Sequence, residues 1–444
     1  MPMGDKKNYG VLVFISIICV ACYGIIGYEI PRTNFAVLLV LVTVLFILYM
    51  LMTAKDFARL YFKQLLVLAL FFRLIFLFTL PALSDDYFRF AWDGALTSSG
   101  INPYLYTPAT VNAWHGTTLP AYLNQLKAGM NSLPYFSPYP PVLQLMFFTM
   151  AKLGGYNLFG NVIVLRAFAL LADAGIIFIT IKILAHFKLA RQRVFLYALN
   201  PLVIIELTGN LHGEVVMIFF MLLSFYLLLK NNFFFSAVVL GLAVSTKLLP
   251  LIFLPAIISF LGSRKGIAYG TIMLATAAVS FLPFLNAVFI GHIAQSVGFY
   301  FQKFEFNASI YYVLRWVGYD VTGFNLIYFI GRALPVLVFV SIAGIAIYKN
   351  INTARQLIER LLFSLLVYYL FSLIVHPWYI TVLVILSVFT RYRFVFVWSA
   401  LIMLTYSTYL QKPYHEILWL TAVEYIILGA VLYFEIKERS IKEN

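Results

Sequence analysis

Four ionisable side chains that could exchange a proton or bind an anion lie within nine positions of the sequence: Asp85, Asp86, Arg89 and Asp93. In a helical segment, residues three and four apart are neighbours, which places Arg89 beside each of the three acids. A carboxylate next to a guanidinium stays ionised and can accept a proton from a hydroxyl group. The same spacing also produces solvated ion pairs on an interfacial helix, so the pattern by itself leaves both interpretations open.

Two later segments supply an imidazole, a carboxylate and a cation. The turn at 209–214 carries His212 and Glu214. Two potential ligands do not define a metal site, so contact with a substrate, or a plain turn, is the better interpretation of this pair. Lys247 lies in an apolar segment, where a cation is costly unless it meets an anion such as a phosphate or reaches the membrane surface.

A third segment, His376-Pro-Trp-Tyr379, joins an imidazole to two amphipathic aromatic rings. Aromatic residues are common where helices meet the membrane interface, which accounts for Trp378 and Tyr379 without any chemistry. His376 is therefore the strongest candidate of this segment.

The elements that must position these side chains follow from composition. Hydrophobic residues make up 63% of the 444 residues and aromatic residues 18%, well above the content of soluble domains. In a bilayer each apolar run must satisfy its own backbone hydrogen bonds, and the alternating pattern of a membrane β-barrel is absent. We therefore predict an all-α polytopic membrane protein.

The net charge of +14 is spread over short basic clusters between the apolar runs. This distribution is typical of loops kept in the cytoplasm, whereas a nucleic-acid-binding protein would gather its charge on one surface. We therefore exclude nucleic acid as a partner. Cys19 and Cys22 lie inside the first apolar run and support neither a disulfide nor a metal site.

Placing the basic clusters in the cytoplasm predicts about fourteen transmembrane helices in one domain, residues 1–444, with both termini cytoplasmic. Residues 1–63 form two N-terminal spans that precede the acidic motif. Residues 81–141 form a long extracytoplasmic loop that contains interfacial helices, since loops of this length are usually functional. Residues 287–322 form a second outer loop.

Two segments need special placement in this topology. Residues 142–153 are about half as long as a span, so we place them as an interfacial or re-entrant helix. Two short helices that meet at Lys247 keep this cation out of the hydrocarbon. With these placements, the candidate side chains of all three segments and of the acidic motif fall on the outer face.

Three elements of the long outer loop resemble the first extracytoplasmic loop of the GT-C superfamily of integral membrane glycosyltransferases. In order, they are Ser84-Asp-Asp-Tyr-Phe-Arg-Phe-Ala-Trp-Asp-Gly94, Gly100-Ile-Asn-Pro-Tyr104 and Tyr139-Pro-Pro141. The polyprenyl-phosphate-mannose-dependent mannosyltransferases, which include the enzyme that adds the first mannose of GPI anchors, are the most similar members. The likeness continues through Lys247 with Pro250, the turn at 209–214 and the segment 376–379.

The resemblance implies a single sugar, mannose in view of these members, which is carried on a polyprenyl phosphate and transferred with inversion to a lipid or glycan hydroxyl. The reaction would take place at the outer face of the cytoplasmic membrane, without a cofactor or a metal. An acidic residue of the first outer loop would be the base. Members with an Asp-Glu pair point to Asp85, and the GPI type aligns better with Asp86.

The resemblance also assigns the other candidates. Arg89, Lys247 and His376 would hold the donor phosphate and stabilise the charge that develops on it. The remaining candidates would contact the substrates: Asp93, Asn102, Tyr104, His212, Glu214, Trp378 and Tyr379.

Two other functions are compatible with a chain of this kind. A transporter or lipid flippase would place ionisable residues near the midplane of the membrane, in broken helices of paired halves, whereas here they collect at one face. A surface-polysaccharide polymerase shares the chemistry of the outer face and differs in adding many sugars instead of one.

Overall fold

The computed structural model describes residues 3–111, 119–302 and 304–443. Within these ranges the chain is helical, and the only β pairing is an isolated bridge between Phe306 and Ile374. The predicted all-α class is confirmed. Residues 112–118 of the predicted loop 81–141 lie outside the described residues.

Twenty-one α-helices follow one another in the described residues. In chain order they are α1 (Met3–Tyr28), α2 (Phe35–Thr53), α3 (Lys55–Leu60), α4 (Phe62–Leu74), α5 (Asp86–Ser98), α6 (Leu119–Gly129), α7 (Pro141–Gly154), α8 (Leu158–His186), α9 (Phe195–Ala198), α10 (Pro201–Val203), α11 (Glu214–Leu229), α12 (Phe233–Val244), α13 (Leu254–Leu261), α14 (Ser263–Ser280), α15 (Phe289–Gln302), α16 (Ile310–Thr322), α17 (Ile327–Ile347), α18 (Ala354–Phe371), α19 (Ile380–Val388), α20 (Phe394–Leu401) and α21 (Leu418–Glu443). Short 3-10 helices span Arg191–Val194, Leu249–Phe253, Leu282–Phe284, Pro377–Tyr379 and Ile402–Tyr409, and a π-helix spans Ile204–Gly209.

Six helices in the described ranges are long and apolar enough to cross a membrane: α1, α2, α8, α14, α17 and α21. A seventh span is possible if Pro201–Gly209 and α11, which meet at an angle of 112°, are counted as one. These helices identify an integral membrane protein. The count of about fourteen spans stays a prediction, because the apolar segments between these six fold into shorter helices.

Several local predictions can be compared directly with the helices. The break at Lys247 is present, since α12 ends at Val244 and the next helical turn begins at Leu249. The apolar run between the two N-terminal spans and the loop at 81 forms the 13-residue helix α4, which ends at Leu74 and is shorter than a full span. The predicted second outer loop, 287–322, consists largely of α15 and α16.

The basic clusters meet at one end of the helix bundle. Arg193 donates a hydrogen bond to the carbonyl of Thr390, and Arg355 donates to the carbonyl of Phe187 at 2.8 Å. Helix α2 leads away from this end, and its 19 residues span roughly 28 Å at 1.5 Å per residue. The turn that precedes α2 therefore lies at the opposite end, where the acidic motif is found.

Buried arginines fix the segments on which the acidic motif rests. Arg73 of α4 forms an ion pair with Asp173 of α8, and both side chains are completely buried. Arg166, also on α8, donates to four backbone carbonyls, those of Leu77 (3.3 Å), Thr79 (2.5 Å), Thr208 (3.0 Å) and Gly209 (3.0 Å). Because a buried guanidinium needs such partners, these contacts tie the start of the loop at 81 to the turn at 209–214.

Candidate active site

A small pocket opens at the start of α5. Its polar lining comes from three predicted site residues, Asp86, His212 and Lys247, which belong to three distant segments of the chain. Apolar side chains of α5, α7, α8 and α11 form the remaining wall. The fold therefore brings together residues that the sequence separates by as many as 161 positions, from Asp86 to Lys247.

Asp86 occupies the first turn of α5, with its side chain 31% exposed. Burial against the apolar wall raises the pKa of Asp86, and the carboxylates of Asp85 and Glu214 act in the same direction. The charges of His212 and Lys247 oppose this shift. A carboxyl group with a raised pKa is a stronger proton acceptor once ionised, which is the property that a general base requires.

Asp85 is held differently from its neighbour. Its carboxylate forms an ion pair with Arg32, from the turn between α1 and α2. Arg32 also donates to the hydroxyl of Tyr414 at 3.0 Å and lies 4.5 Å from the ring centre of Tyr409. Asp85 is therefore engaged by a cation within the protein, whereas Asp86 faces the pocket.

His212 lies between two carboxylates and is almost completely buried. Its Nδ1 is 4.0 Å from Asp86 Oδ2, and its Nε2 is 3.3 Å from Glu206 Oε2. The imidazole stacks on Trp378 with ring centres 3.6 Å apart, and the ring of His376 stacks on the same indole at 4.3 Å. Two rings this close to one indole centre must lie on opposite faces, so neither face of Trp378 is free to stack on a sugar.

His376 is a neutral imidazole in this arrangement. Burial lowers the pKa of His376 to about 3, and the positive charges of His212 and Lys247 contribute to the shift. Its Nδ1 is buried and has no hydrogen-bond partner among the described residues. His376 can thus offer one hydrogen bond to a ligand, but it adds no charge for a phosphate.

Lys247 reaches into the pocket from the break between α12 and the following 3-10 turn. Its ammonium group forms an ion pair with Glu214 and lies 5.9 Å from the ring centre of Tyr379. The Glu214 side chain is only 2% exposed, while that of Lys247 is 24% exposed. An anion that enters the pocket can approach Lys247, but it competes with Glu214 for the charge.

Arg89 and Asp93 have partners other than the predicted phosphate and substrate. Arg89 donates to Asp93 at 3.0 Å and to the carbonyl of Tyr135 at 2.8 Å, and its side chain is 3% exposed. Asp93 is completely buried and also accepts hydrogen bonds from Ser137 and from Gln144 (3.0 Å). These contacts assign the pair to holding the loop that contains Tyr135 and Ser137 on α5 and α7.

Asn102 and Tyr104 also bind other parts of the protein. Asn102 donates to the carbonyl of Phe284 at 2.8 Å, and the hydroxyl of Tyr104 donates to the carbonyl of Tyr139 at 2.5 Å. Tyr104 is fully buried, and its own carbonyl lies 2.8 Å from Nδ1 of His292. The element 100–104 thus anchors the loop to the segment after α14, and neither residue lines the pocket.

Gly94 shows how tightly α5 is packed. A Cβ atom at this position would lie 2.4 Å from the backbone carbonyl oxygen of Phe147 on α7. We therefore expect Gly94→Ala to force the two helices apart and to lower the free energy of unfolding by about 1–3 kcal/mol. Thermal unfolding in detergent measures this effect. Gly24→Ala is the matched control, since nothing lies within 4 Å of a Cβ there; equal melting temperatures for the two variants would contradict the packing role.

Three residues of this site were not predicted from the sequence: Arg32, Glu206 and Tyr406. Tyr406 donates to Glu206 at 2.5 Å. The sequence does contain a signal for Glu206, which is the only acid in the apolar segment 194–208. An ionisable residue in such a segment is a site candidate by default. Arg32 and Tyr406 join the site only through the tertiary fold, and their local sequence carries no comparable signal.

Two comparisons with known proteins bear on this arrangement. A family model described as alpha-(1→6)-mannopyranosyltransferase, N-terminal domain, matches residues 21–263, which include Asp86, His212 and Lys247 but not His376. Alpha-(1→6)-mannopyranosyltransferase A of Mycobacterium tuberculosis (strain ATCC 25618 / H37Rv) is 23% identical over 324 residues. The aligned region covers 68% of this chain and 60% of that relative, so the chain spans about three fifths of the relative's length. Both matches confirm the resemblance to mannosyltransferases that the loop motifs indicated.

Proposed function

Since the chain belongs to the alpha-(1→6)-mannopyranosyltransferase family, we propose that it is a membrane mannosyltransferase that uses a polyprenyl-phosphate mannose donor. The observation that carries this proposal is the pocket, in which a carboxyl group of raised pKa lies beside a lysine and a histidine. A carboxylate can take a proton from an acceptor hydroxyl, and a lysine can bind a phosphate leaving group. Both requirements of sugar transfer from a lipid phosphate are thus present in one cavity.

Asp86 is the base in this mechanism. Its carboxylate removes the proton of the acceptor hydroxyl while the hydroxyl oxygen attacks the anomeric carbon from the face opposite the phosphate. The bond between the anomeric carbon and the phosphate oxygen breaks in the same step, and its electrons leave with the polyprenyl phosphate. Such a single displacement inverts the anomeric carbon, so an α-linked product requires a β-linked donor. Asp85, paired with Arg32, is the second carboxylate of the pocket entrance.

Lys247 is the main ligand of the donor phosphate. The phosphate draws its ammonium group from Glu214, and neutral His376 adds a hydrogen bond. Tyr379 borders Lys247 and, with His212 and Glu214, contacts the sugar or the acceptor. Trp378 is the spacer between the two imidazoles rather than a stacking platform.

The reaction takes place at the outer face of the cytoplasmic membrane in this proposal. The basic clusters gather at the end of the bundle away from the pocket. Because such clusters stay in the cytoplasm, their position supports an outer-face site. The same proposal includes three features of the architecture. They are a polytopic GT-C-like arrangement with about fourteen spans, a single domain 1–444 and a catalytic role for loop 81–141. The acceptor is a lipid-linked or glycan hydroxyl.

Mass spectrometry of membrane glycolipids from cells with and without the gene tests the function. We expect the cells without it to lack one glycolipid and to accumulate its precursor, one hexose smaller. Loss of a series that differs by many hexoses would identify a polymerase instead. An unchanged glycolipid profile would contradict the proposal.

A further inference from the structure

Glu206 is a completely buried carboxylate that the mechanism above does not use. It lies in the π-helix Ile204–Gly209, directly before the 112° bend that leads into α11. Its carboxylate accepts hydrogen bonds from the Tyr406 hydroxyl (2.5 Å) and from the Asn210 side chain (3.2 Å). Burying a carboxylate costs several kcal/mol unless it is paired, and both of these partners are neutral.

His212 is the one basic side chain within ion-pair distance of Glu206 among the described residues, with Nε2 3.3 Å from Oε2. The other ring nitrogen, Nδ1, faces Asp86 at 4.0 Å. The imidazole thus lies between the two carboxylates at ion-pair distance from each, and neither contact has the geometry of a hydrogen bond. Its ring cannot turn away easily, because it is stacked on Trp378.

The backbone between the two residues is shaped to bring them together. The amide of His212 donates to the carbonyl of Glu206 at 3.3 Å, and Leu211 adopts a left-handed conformation with φ of 65°. This conformation is unfavourable for a residue other than glycine. π-helical turns and such strained residues are found preferentially at functional sites, where the rest of the structure holds them in place.

We propose that Glu206 is a positioning residue for the transfer reaction, which holds and polarises His212 so that His212 in turn keeps the base Asp86 ionised. This inference rests on the proposed function. Glu206 holds the imidazole beside Asp86, where the charge of His212 lowers the pKa of Asp86 against the effect of burial. Without Glu206, Asp86 would be protonated at higher pH, and a protonated carboxyl group cannot act as the base.

The other charges around Asp86 are unchanged when Glu206 is replaced. Lys247 faces Asp86 from the break after α12, Glu214 from α11, and Asp85 from the residue before it. Arg32 remains paired with Asp85. A shift in the pH dependence of transfer would therefore report the contact through His212.

The test is Glu206→Gln, which keeps the shape of the side chain and removes its charge. Initial rates of mannosyl transfer from polyprenyl-phosphate mannose are measured in proteoliposomes between pH 5 and 8. At low pH the rate falls as Asp86 becomes protonated, and this part of the profile is its acid limb. We expect the acid limb to move to higher pH by roughly one unit, the size of shift that loss of a nearby opposite charge produces. The donor KM should stay unchanged. The Glu206→Asp variant keeps the negative charge, so the acid limb of its pH profile should lie close to that of the wild type.

Glu424→Gln is the matched control. Glu424 is also completely buried and accepts hydrogen bonds from Trp398 (2.8 Å) and Asn307 (3.1 Å), but it contacts none of the pocket residues. We expect its variant to keep the wild-type pH profile. Should Glu206→Gln fail to fold, Glu206→Asp becomes the test and should show a smaller shift in the same direction.

The outcomes separate the two proposals. An active wild-type protein whose Glu206 variants keep the wild-type acid limb would overturn the role of Glu206 alone. A wild-type protein that transfers no mannose from the lipid donor would overturn the proposed function and, with it, this inference. Equal shifts in the Glu206 and Glu424 variants would show a general effect of replacing a buried acidic side chain and also overturn the specific role.

Discussion

Replacing Asp86 by Asn should lower kcat for mannosyl transfer by about 10²–10⁴-fold, the usual contribution of a general base. The amide has nearly the same shape as the carboxylate but cannot accept the proton of the acceptor hydroxyl. The donor KM should change little, because the proposed phosphate ligand is Lys247. Transfer from polyprenyl-phosphate mannose by the purified protein in detergent measures both constants.

Asp85→Asn is the control for the Asp86 variant. It removes a carboxylate one residue away and breaks the ion pair with Arg32, but it leaves the carboxylate that lines the pocket in place. We expect a smaller loss of kcat than for Asp86→Asn. Full activity in both variants would show that neither aspartate is the base, and the reverse order would assign the role to Asp85.

Lys247→Met should have the second large effect, and it should act on both activity and stability. Without the ammonium group the phosphate loses its main ligand, which should lower kcat/KM by about 10²–10³-fold. Glu214, only 2% exposed, is left without its cation, which should lower the free energy of unfolding by about 3 kcal/mol, the low end of the range for breaking a buried ion pair. Transfer assays and thermal unfolding measure the two effects separately.

The double variant Lys247→Met/Glu214→Gln separates the two roles of the lysine. Replacing the unpaired carboxylate by a neutral amide should restore most of the lost stability, because no buried charge is left. Activity should remain low, since the phosphate still lacks its cation. Recovery of activity together with stability would contradict the role of Lys247 in the reaction.

The sequence predicted the helical class and three of the residues that line the pocket. In an apolar chain every ionisable side chain has to be accounted for, so Asp86, His212 and Lys247 stood out before their contacts were known. The helix break at Lys247 followed from the cost of a cation in hydrocarbon. It is present between Val244 and Leu249.

The loop motifs were harder to interpret from spacing alone. Arg89, Asp93, Asn102 and Tyr104 belong to the motif pattern, yet they bind the protein's own backbone and side chains, within the loop and in the segments packed against it. A motif indicates that a residue type is needed at a position, but not whether it faces a ligand or the protein. The direction of each side chain depends on how α5 packs against α7, which the local sequence does not specify.

Two further features depend on contacts between distant segments. Arg32 meets Asp85 from the turn before α2, and Tyr406 meets Glu206 from 200 positions further along the chain. Hydropathy alone does not distinguish a full span from short helices such as α12 and α13 that meet at a break, so the count of about fourteen spans stays a prediction.

The central claim is that this chain transfers mannose from a lipid phosphate by means of the pocket around Asp86. The most direct measurement reconstitutes the purified protein in liposomes with an acceptor glycolipid and offers labelled mannose either on polyprenyl phosphate or on a nucleotide. We predict labelled, α-linked glycolipid from the β-linked polyprenyl donor only, and loss of this product with Asp86→Asn. Transfer from the nucleotide sugar alone, or movement of labelled lipid across the bilayer without a glycosylated product, would contradict the account.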